Sequence, residues 1–550
     1  MSDVAKGNSD ARAKQPVPED APPSGGLYAH LVLAILVVVY VFNFIDRNIL
    51  SILAEDIKAD LGVTDAEMGF LYGTAFAVFY AVFGIPLARF ADVWVRRSLV
   101  SAGLLFWSAM TAMSGLARSF PALALYRIGV GIGEASASPA AYSMLSDYYH
   151  PRHRATVIGI YSSGVYIGGG VGLFLGGWIL DGWAAAYPDP AAAPFGLKGW
   201  HVAFMAVGTP GILLAGVVRM LREPMRGQSE GLVTPRHPAP FRVLGTELAA
   251  VIPPFTIWSV WRHGASLRLN LLAAVAVSAV GALLIWWTGS VAQWVALGVA
   301  VYVTVSWAQG MAGRDRATFG MIFHSKALMY TTLAFPTIAF VTYGTSFWTA
   351  PFLMRVHEAS ASEVGLYVGV GNAIGGLLGV ISGGVLADRL KATRINGRLM
   401  VGIITIVLTG PMVLWMLYTD SLAMAYFLNF AYHIPAAMWV SIAPTTANDL
   451  VMPRMRAVAG AWFLLMNTII GLALGPYLIG KVSDLFTLAG VDPAAALTDA
   501  IALGQGMFLV TAVLLYLAMR HLPTDEANRL ERAKALGEDV VAAKPPSKQP

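Results

Sequence analysis

The sequence predicts an all-α membrane protein made of two six-helix bundles related by duplication, with a two-helix hairpin inserted between them. Three observations carry this. Apolar residues are 57% of the 550-residue chain and charged residues only 13%, about half the charged share of a soluble domain. Apolar stretches of about 20 residues, long enough to cross a bilayer, recur along it. A short phrase also occurs twice, as Asp147-Tyr-Tyr-His-Pro151-Arg152-His-Arg154-Ala155 and, 302 residues on, as Asp449-Leu-Val-Met-Pro453-Arg454-Met-Arg456-Ala457. A glycine ladder follows in nearly the same register: Gly168, Gly172 and Gly177 match Gly471, Gly475 and Gly480, each shifted by 303. Duplicated helical bundles with a site between the halves are the architecture of secondary transporters.

The elements follow in order. Residues 1–26 are polar and rich in Pro, Gly and Ala; they read as a flexible cytoplasmic N-terminus without a cleaved leader. The first bundle, 27–222, holds spans near 28–50, 67–90, 98–117, 120–145, 155–180 and 201–221. The second, 324–521, holds spans near 327–353, 364–388, 399–418, 421–447, 457–480 and 501–520. Residues 223–323 form the linker. It contains spans near 268–288 and 291–311, joined by Thr288-Gly289-Ser290, a turn short enough to require a helical hairpin. The expected total is fourteen. Residues 240–262 mix Pro, apolar residues, Trp258, Trp261 and Arg262, the composition of an interfacial amphipathic segment. The tail, 522–550, has a charged helical run from Asp525 to Asp539 and then a Pro/Lys end expected to be disordered.

Charge and cysteine content narrow the functions. The chain has no cysteine, which excludes disulfides and thiolate chemistry. The net charge of +5 does not point to nucleic acid, because the basic residues cluster in loops flanking apolar helices. Arg96, Arg97, Arg152, Arg154, Arg222, Arg389, Arg398 and Arg454 fall on one face. By the positive-inside rule that face, with both termini, is cytoplasmic.

The loop after the second span reads Ala88-Arg-Phe-Ala-Asp92-Val-Trp-Val-Arg96-Arg97, and its duplicate reads Gly384-Val-Leu-Ala-Asp388-Arg389. A carboxylate at a helix end beside arginines can pair with a neighbouring loop or helix terminus and hold the cytoplasmic side shut. Ordinary positive-inside charge with an incidental acid is the plainer reading. The candidate latch comprises Asp92, Arg96, Arg97, Asp147, Arg154, Asp388, Arg389, Asp449 and Arg456. These loops resemble the major facilitator superfamily pattern Gly-x-x-x-Asp-Arg-x-Gly-Arg-Arg. The second copy keeps Gly384, Asp388 and Arg389; the first keeps Asp92, Arg96 and Arg97 but has Ala88, Val93 and Val95 at the other positions. The resemblance implies the major facilitator fold with pseudo-twofold symmetry. The glycine ladder lets helix backbones touch; close packing accounts for it as well as any transport role does.

The first span contains Asn43-Phe-Ile-Asp46-Arg47-Asn48. Charges at bilayer depth cost about 2.5–3.5 kcal/mol each even on lenient insertion scales, although residues 46–48, about 6 Å from the helix end, could snorkel to the interface. The fourth span contains Arg127-Ile-Gly-Val-Gly131-Ile-Gly133-Glu134-Ala-Ser136-Ala-Ser138-Pro139. Arg127, Gly131, Glu134 and Ser138 share one face, with Arg127 and Glu134 about 10 Å apart along the axis. Glu134 lies near mid-membrane, where hydrocarbon disfavours its ionised form unless a cation is near. A structural buried salt bridge is the alternative to a functional site. Both spans are similar to the Spinster branch, which carries Asn-aromatic-x-Asp-Arg in the first helix and Arg-x-Gly-Val-Gly-x-Gly-Glu-Ala-Ser in the fourth. That branch is associated with sphingolipid and lysophospholipid export, so the resemblance implies a lipid-like cargo.

The resulting expectation is a proton-coupled, alternating-access transporter of a small amphiphile in the bacterial inner membrane, working as a monomer among membrane lipid. Glu134 and Asp46 would carry the proton, and Arg47 and Arg127 would pair and gate. Asn43, Ser138, Tyr166, Tyr343, Phe347, Trp348 and His433 would line the substrate cavity. His433 alone reads better as a satisfied core residue than as a metal ligand. An organic-anion symporter of the sugar-acid type, or a drug exporter, is the runner-up. An integral-membrane enzyme is disfavoured: the spans hold no His-Glu-x-x-His, no Gly-x-Ser-x-Gly elbow and no clustered acids with His, and the chain has no phosphate-binding Gly-x4-Gly-Lys-Ser/Thr loop, so neither a metal nor another cofactor is expected. A channel would want a repeated polar ring, whereas the first half is charged inside and the second aromatic and uncharged.

Overall fold

The computed structural model describes residues 26–230, 237–262 and 264–538. The expected flexible N-terminus (but for its last residue) and the Pro/Lys end lie outside the described residues. The described residues form helices and connecting loops, with no strand among them. In chain order the main elements are α1 (Leu27–Ile52), α2 (Asp65–Val93), α3 (Arg96–Ser114), α4 (Phe120–Glu134), α5 (Ala137–Tyr148), α6 (Thr156–Ala186) and α7 (Gly199–Met220). The linker forms α8 (Pro240–Val251), α9 (Phe255–Arg262), α10 (Leu267–Thr288) and α11 (Val291–Arg314). The second half forms α12 (Lys326–Val356), α13 (Ala361–Thr393), α14 (Gly397–Leu417), α15 (Leu422–Ala437), α16 (Ile442–Asp449), α17 (Pro453–Leu488) and α18 (Pro493–Ala527), followed by the short α19 (Arg529–Ala535).

Eleven of the described helices are long and apolar enough to cross a membrane, twelve if the bent pair α8–α9 is one span. The protein is a multi-pass integral membrane protein. The sequence-based total of fourteen also included the regions of α3, of α4 with α5, and of α15 with α16. These are helical, but are interrupted or more polar. The fourth span breaks directly after Glu134, where α4 ends and α5 begins at Ala137. The pair α8–α9 bends by 102° at its break.

Local chemistry explains the boundaries. Thr64 and Glu67 form a reciprocal capping box at the start of α2. Ser119, Ser325, Ser360 and Ser421 each accept an orphan N–H at the N-termini of α4, α12, α13 and α15. In the linker, α8 and α11 pack on α2, and α10 packs on α11. α10 is otherwise almost wholly exposed, so its apolar side chains face lipid. Asn270 ties the hairpin together, donating to Ser306 Oγ and Gln309 Oε1, both at 2.9 Å, and accepting from Tyr302 at 2.8 Å.

The ladder glycines set how closely the helices approach. A Cβ on Gly177 would collide with the backbone of Ala361, and one on Gly480 with that of Asp65, each in the opposite half. Toward the other end of the same helices, a Cβ on Gly84, Gly159 or Gly460 would meet nothing within 4 Å. The halves therefore touch at the end bearing Asp65 and Ala361 and part toward the basic face.

Candidate functional site

Four charged side chains gather inside the first half where α1, α2 and α4 meet. Arg47 of α1 donates from Nε to Glu134 Oε2 at 2.7 Å. The Glu134 side chain is fully buried and that of Arg47 is 16% exposed. The guanidinium carbon of Arg47 lies 4.6, 4.3 and 4.8 Å from the ring centroids of Phe44, Phe76 and Tyr80, which hold a cation by their quadrupoles. Gly131 allows this packing, because a Cβ there would strike the Phe76 backbone. Arg127 donates from Nη1 to the main-chain oxygen of Asp46 at 3.0 Å, so the two lie at one depth. Asn43, Asp46 and Arg127 are also buried.

The sequence leaves open which arginine each acid meets. Glu134 takes Arg47, from another helix. Several polar atoms here have no hydrogen-bond partner among the described residues: both Asp46 carboxylate oxygens, Glu134 Oε1, Asn43 Oδ1, and Arg127 Nε and Nη2. Two carboxylates and two guanidiniums thus share a buried pocket with one direct ion pair. Such a group can exchange partners when a proton or an anion arrives.

The expected cavity residues divide. Tyr166 is half-buried beside Gly376 of α13, and Tyr343 and Ser138 are half-buried. Phe347 stacks on Tyr72 of the first half at 4.4 Å, and its main-chain oxygen accepts from Ser51 at 2.5 Å, which places it in the contact between halves. Trp348 is buried against α17, its indole donating to Pro476 O at 2.9 Å. His433 is buried with its Nδ1 2.7 Å from Asn429 O, one turn away on its own helix.

At the basic face the candidate latch forms within each half. Arg96 bonds Asp147 at 2.5 Å and Glu223 at 2.8 Å. Its duplicate Arg398 pairs with Asp449, and more loosely with Asp388 at 3.9 Å. Arg97 binds the main-chain oxygen of Leu221. Arg154 reaches Ser146 O at 3.1 Å and Ser229 Oγ at 2.8 Å. Asp92 is exposed and meets Arg89 at 3.5 Å, not Arg96. Arg389 and Arg456 are exposed. Arg398 and Glu223 are not singled out by the sequence motifs, although Arg398 stands 302 residues after Arg96.

The opposite face carries bonds that cross between the halves. Asp484 accepts from the main-chain N–H groups of Asp65 and Ala66, both at 2.9 Å. Asp181 accepts from Ser362 N at 2.7 Å and Ser362 Oγ at 2.5 Å. Each carboxylate thus caps the first turn of a helix in the other half, where the dipole favours it. Asp65 itself takes Arg355 at 2.6 and 2.9 Å, Ser483 at 2.7 Å, and Lys58; Arg355 also reaches Glu55 at 2.7 Å. Sequence reasoning misses this network, yet Asp181 and Asp484 are separated by the same 303 residues as the glycines.

Known proteins supply the context for this geometry. The sequence profile of the Major Facilitator Superfamily matches residues 36–476. A solved bacterial homolog of the human lysosomal transporter Spinster, in an inward-facing and unoccupied conformation, superposes with a TM-score of 0.65 at 26% identity, covering 92% of this chain and 99% of that one. An MFS-type efflux pump of Mycolicibacterium smegmatis is 26% identical over 90% of this chain and 92% of its own. A probable L-galactonate transporter of Escherichia coli is 30% identical over 32% of this chain and 35% of its own.

Proposed function

We infer function from a plain premise: the chain belongs to the Major Facilitator Superfamily, a family of membrane transporters, and is Spinster-like. We propose that it is a proton-coupled secondary transporter that works by alternating access on a small amphiphile. The observation that carries the coupling is the ion pair Arg47–Glu134, buried between two helices beside the unpaired Asp46 carboxylate. A proton on Glu134 discharges that pair and frees the guanidinium. Arg47 can then turn to Asp46 or to an anionic group on the substrate. Because burying an unpaired charge costs several kcal/mol, the halves rock only when charges are matched. The basic face is the cytoplasmic one by the positive-inside rule, and the halves part toward it. In this reading the protein faces inward, sits in a bacterial inner membrane and works as a monomer.

A lipid-like substrate is favoured by the likeness to the Spinster homolog and by an aromatic wall of Tyr40, Tyr161 and Tyr142, stacked at 4.4 Å and edge-on at 5.3 Å. One observation favours a second reading, a sugar-acid symporter. Arg47 is partly open and has one ion-pair partner among the described residues, which suits a carboxylate ligand, and the galactonate-transporter relative points the same way. The test is flux in proteoliposomes under an imposed pH gradient, with lysophospholipid and aldonate as alternative cargoes. The expected result is gradient-driven flux of the lysophospholipid, reduced at least about 100-fold by Glu134→Gln, while downhill exchange survives. Aldonate flux without lysophospholipid flux would select the second reading. Flux of either that ignores both the pH gradient and the Glu134→Gln substitution would remove the coupling.

A further inference from the structure

A second feature lies away from the charged group, between α13 and α15 near the face opposite the basic one. A cavity of about 620 Å³ opens there, within the range of small-molecule pockets. Its rim carries Glu363, in the first turn of α13, for which no ion pair is present among the described residues. One turn on, Tyr367 stands 50% exposed and stacks on Tyr426 of α15, centroids 4.6 Å apart and planes 20° from parallel. The Tyr426 hydroxyl is buried and has no hydrogen-bond partner among the described residues. Phe430 continues the wall, Phe427 stands exposed at its open side, and Gly371 lines the same space. The groove opens sideways, because α13 shows an exposed apolar stripe from Leu366 to Ile381, the face a helix turns to lipid.

We propose that this groove binds, from the bilayer, a single-chain amphiphile with a quaternary-ammonium head. The head has a carboxylate to neutralise it and ring faces that attract a cation in a partly desolvated place; the apolar wall takes the chain. An anionic head would meet Glu363 with like charge and gain nothing from the rings. Glu363 also favours the N-terminal dipole of α13. That role accounts for an acid at this position, but not for the tyrosine stack or the buried hydroxyl beside it. The site is separate from Arg47–Glu134 and stands whatever cargo that pair moves.

The test uses the full chain in maltoside micelles and two diazirine probes of equal chain length, a dodecyltrimethylammonium and a dodecyl sulfate. The ammonium probe is expected to label residues 363–371 and 422–430 saturably. Its half-saturation should rise about tenfold in Glu363→Gln and about fivefold in Tyr367→Ala, stay unchanged in Glu134→Gln, and recover in Glu363→Asp. Thermal midpoints serve as the folding control; both substituted side chains are at least partly exposed, so these variants should hold their fold. Equal labelling by the sulfate probe, labelling mapped elsewhere, or a half-saturation that ignores Glu363→Gln each overturns the proposal.

Discussion

The two faces of the bundle are built from the same repeat and bonded in opposite ways. At the basic face the duplicated pairs, Arg96–Asp147 and Arg398–Asp449, close within their own halves. At the opposite face the duplicated carboxylates, Asp181 and Asp484, reach across to the other half. A bond inside a half moves with it when the halves rock, so it stiffens the body without resisting the motion. A bond between halves must break. The difference identifies which contacts hold the present state and which hold only the scaffold. It also changes the meaning of the charged loops at the basic face: in this conformation they brace helix ends rather than join the halves.

The strongest way to break this comparison is Arg355→Met. Arg355 comes from the second half, yet satisfies Asp65 and Glu55 of the first, with its side chain 10% exposed. Removing one partner of a largely buried charge pair costs about 3–5 kcal/mol, here charged to the closed arrangement alone. Access from that face should increase by more than about 100-fold. The chain has no cysteine, so a single Ser51→Cys substitution, at the buried contact with Phe347, reports this directly through the reaction of its thiol with an impermeant maleimide. Arg96→Met is the control, since Arg96 is fully buried but braced within its half. It should lower the thermal midpoint and leave the maleimide labelling rate within about twofold. If both substitutions opened the Ser51 site alike, the distinction between the two faces would be wrong.

A smaller effect is expected from the paired caps. Asp181→Ala and Asp484→Ala each remove two charge-assisted bonds to a helix start, worth about 1–3 kcal/mol. Each, made in the Ser51→Cys background, should speed maleimide labelling by about tenfold. The two caps bind different helices, so the double substitution should come close to the product of the single effects. A double variant no faster than the faster single, with the other single at the parent rate, would show that one cap does nothing, and that the symmetry is inherited rather than used.

Much of this is legible in sequence, and what is not has physical causes. Helix positions come through well, α1 falling at Leu27–Ile52 against an expected 28–50, because a bilayer demands a long unbroken apolar run. Partner choice does not. Spacing on one helix puts Arg127 and Glu134 on a shared face, but the bond goes to Arg47, since contact between helices depends on packing that glycines such as Gly131 permit and that no local pattern reveals. Trp348 reads as a cavity residue because aromatics in spans are ambiguous; its indole donor needs an acceptor and finds Pro476. Asp181 and Asp484 are readable through their 303-residue offset, but the repeated basic motifs draw attention to the other end of the molecule.

The smallest expected effect is a null response to pH at the tail, and its sign can be worked out. Asp315 sits beside Arg454, which also holds Glu538. Burial works against ionising Asp315, but the Arg454 guanidinium and the N–H and hydroxyl of Thr318 outweigh it and hold the carboxyl at about 2. The bond from Arg454 likewise lowers Glu538. For a carboxyl whose folded value lies below its unfolded value of about 3.9, the stabilisation is complete above the unfolded value and is lost as pH falls through the folded one. The docking of α19 should therefore be constant from pH 8 to 5 and loosen only in acid, near pH 4 and below. Spin labels at the exposed positions Ala457 and Ala535 measure this as one distance across that range, broadening only at the acid end. The tail brace at the basic face would then be unchanged from pH 8 to 5, leaving the buried pair as the proposed site of any pH response in that range. A distance that shifted between pH 8 and 5 would place a second proton sensor at the basic face and undo its description as passive scaffold.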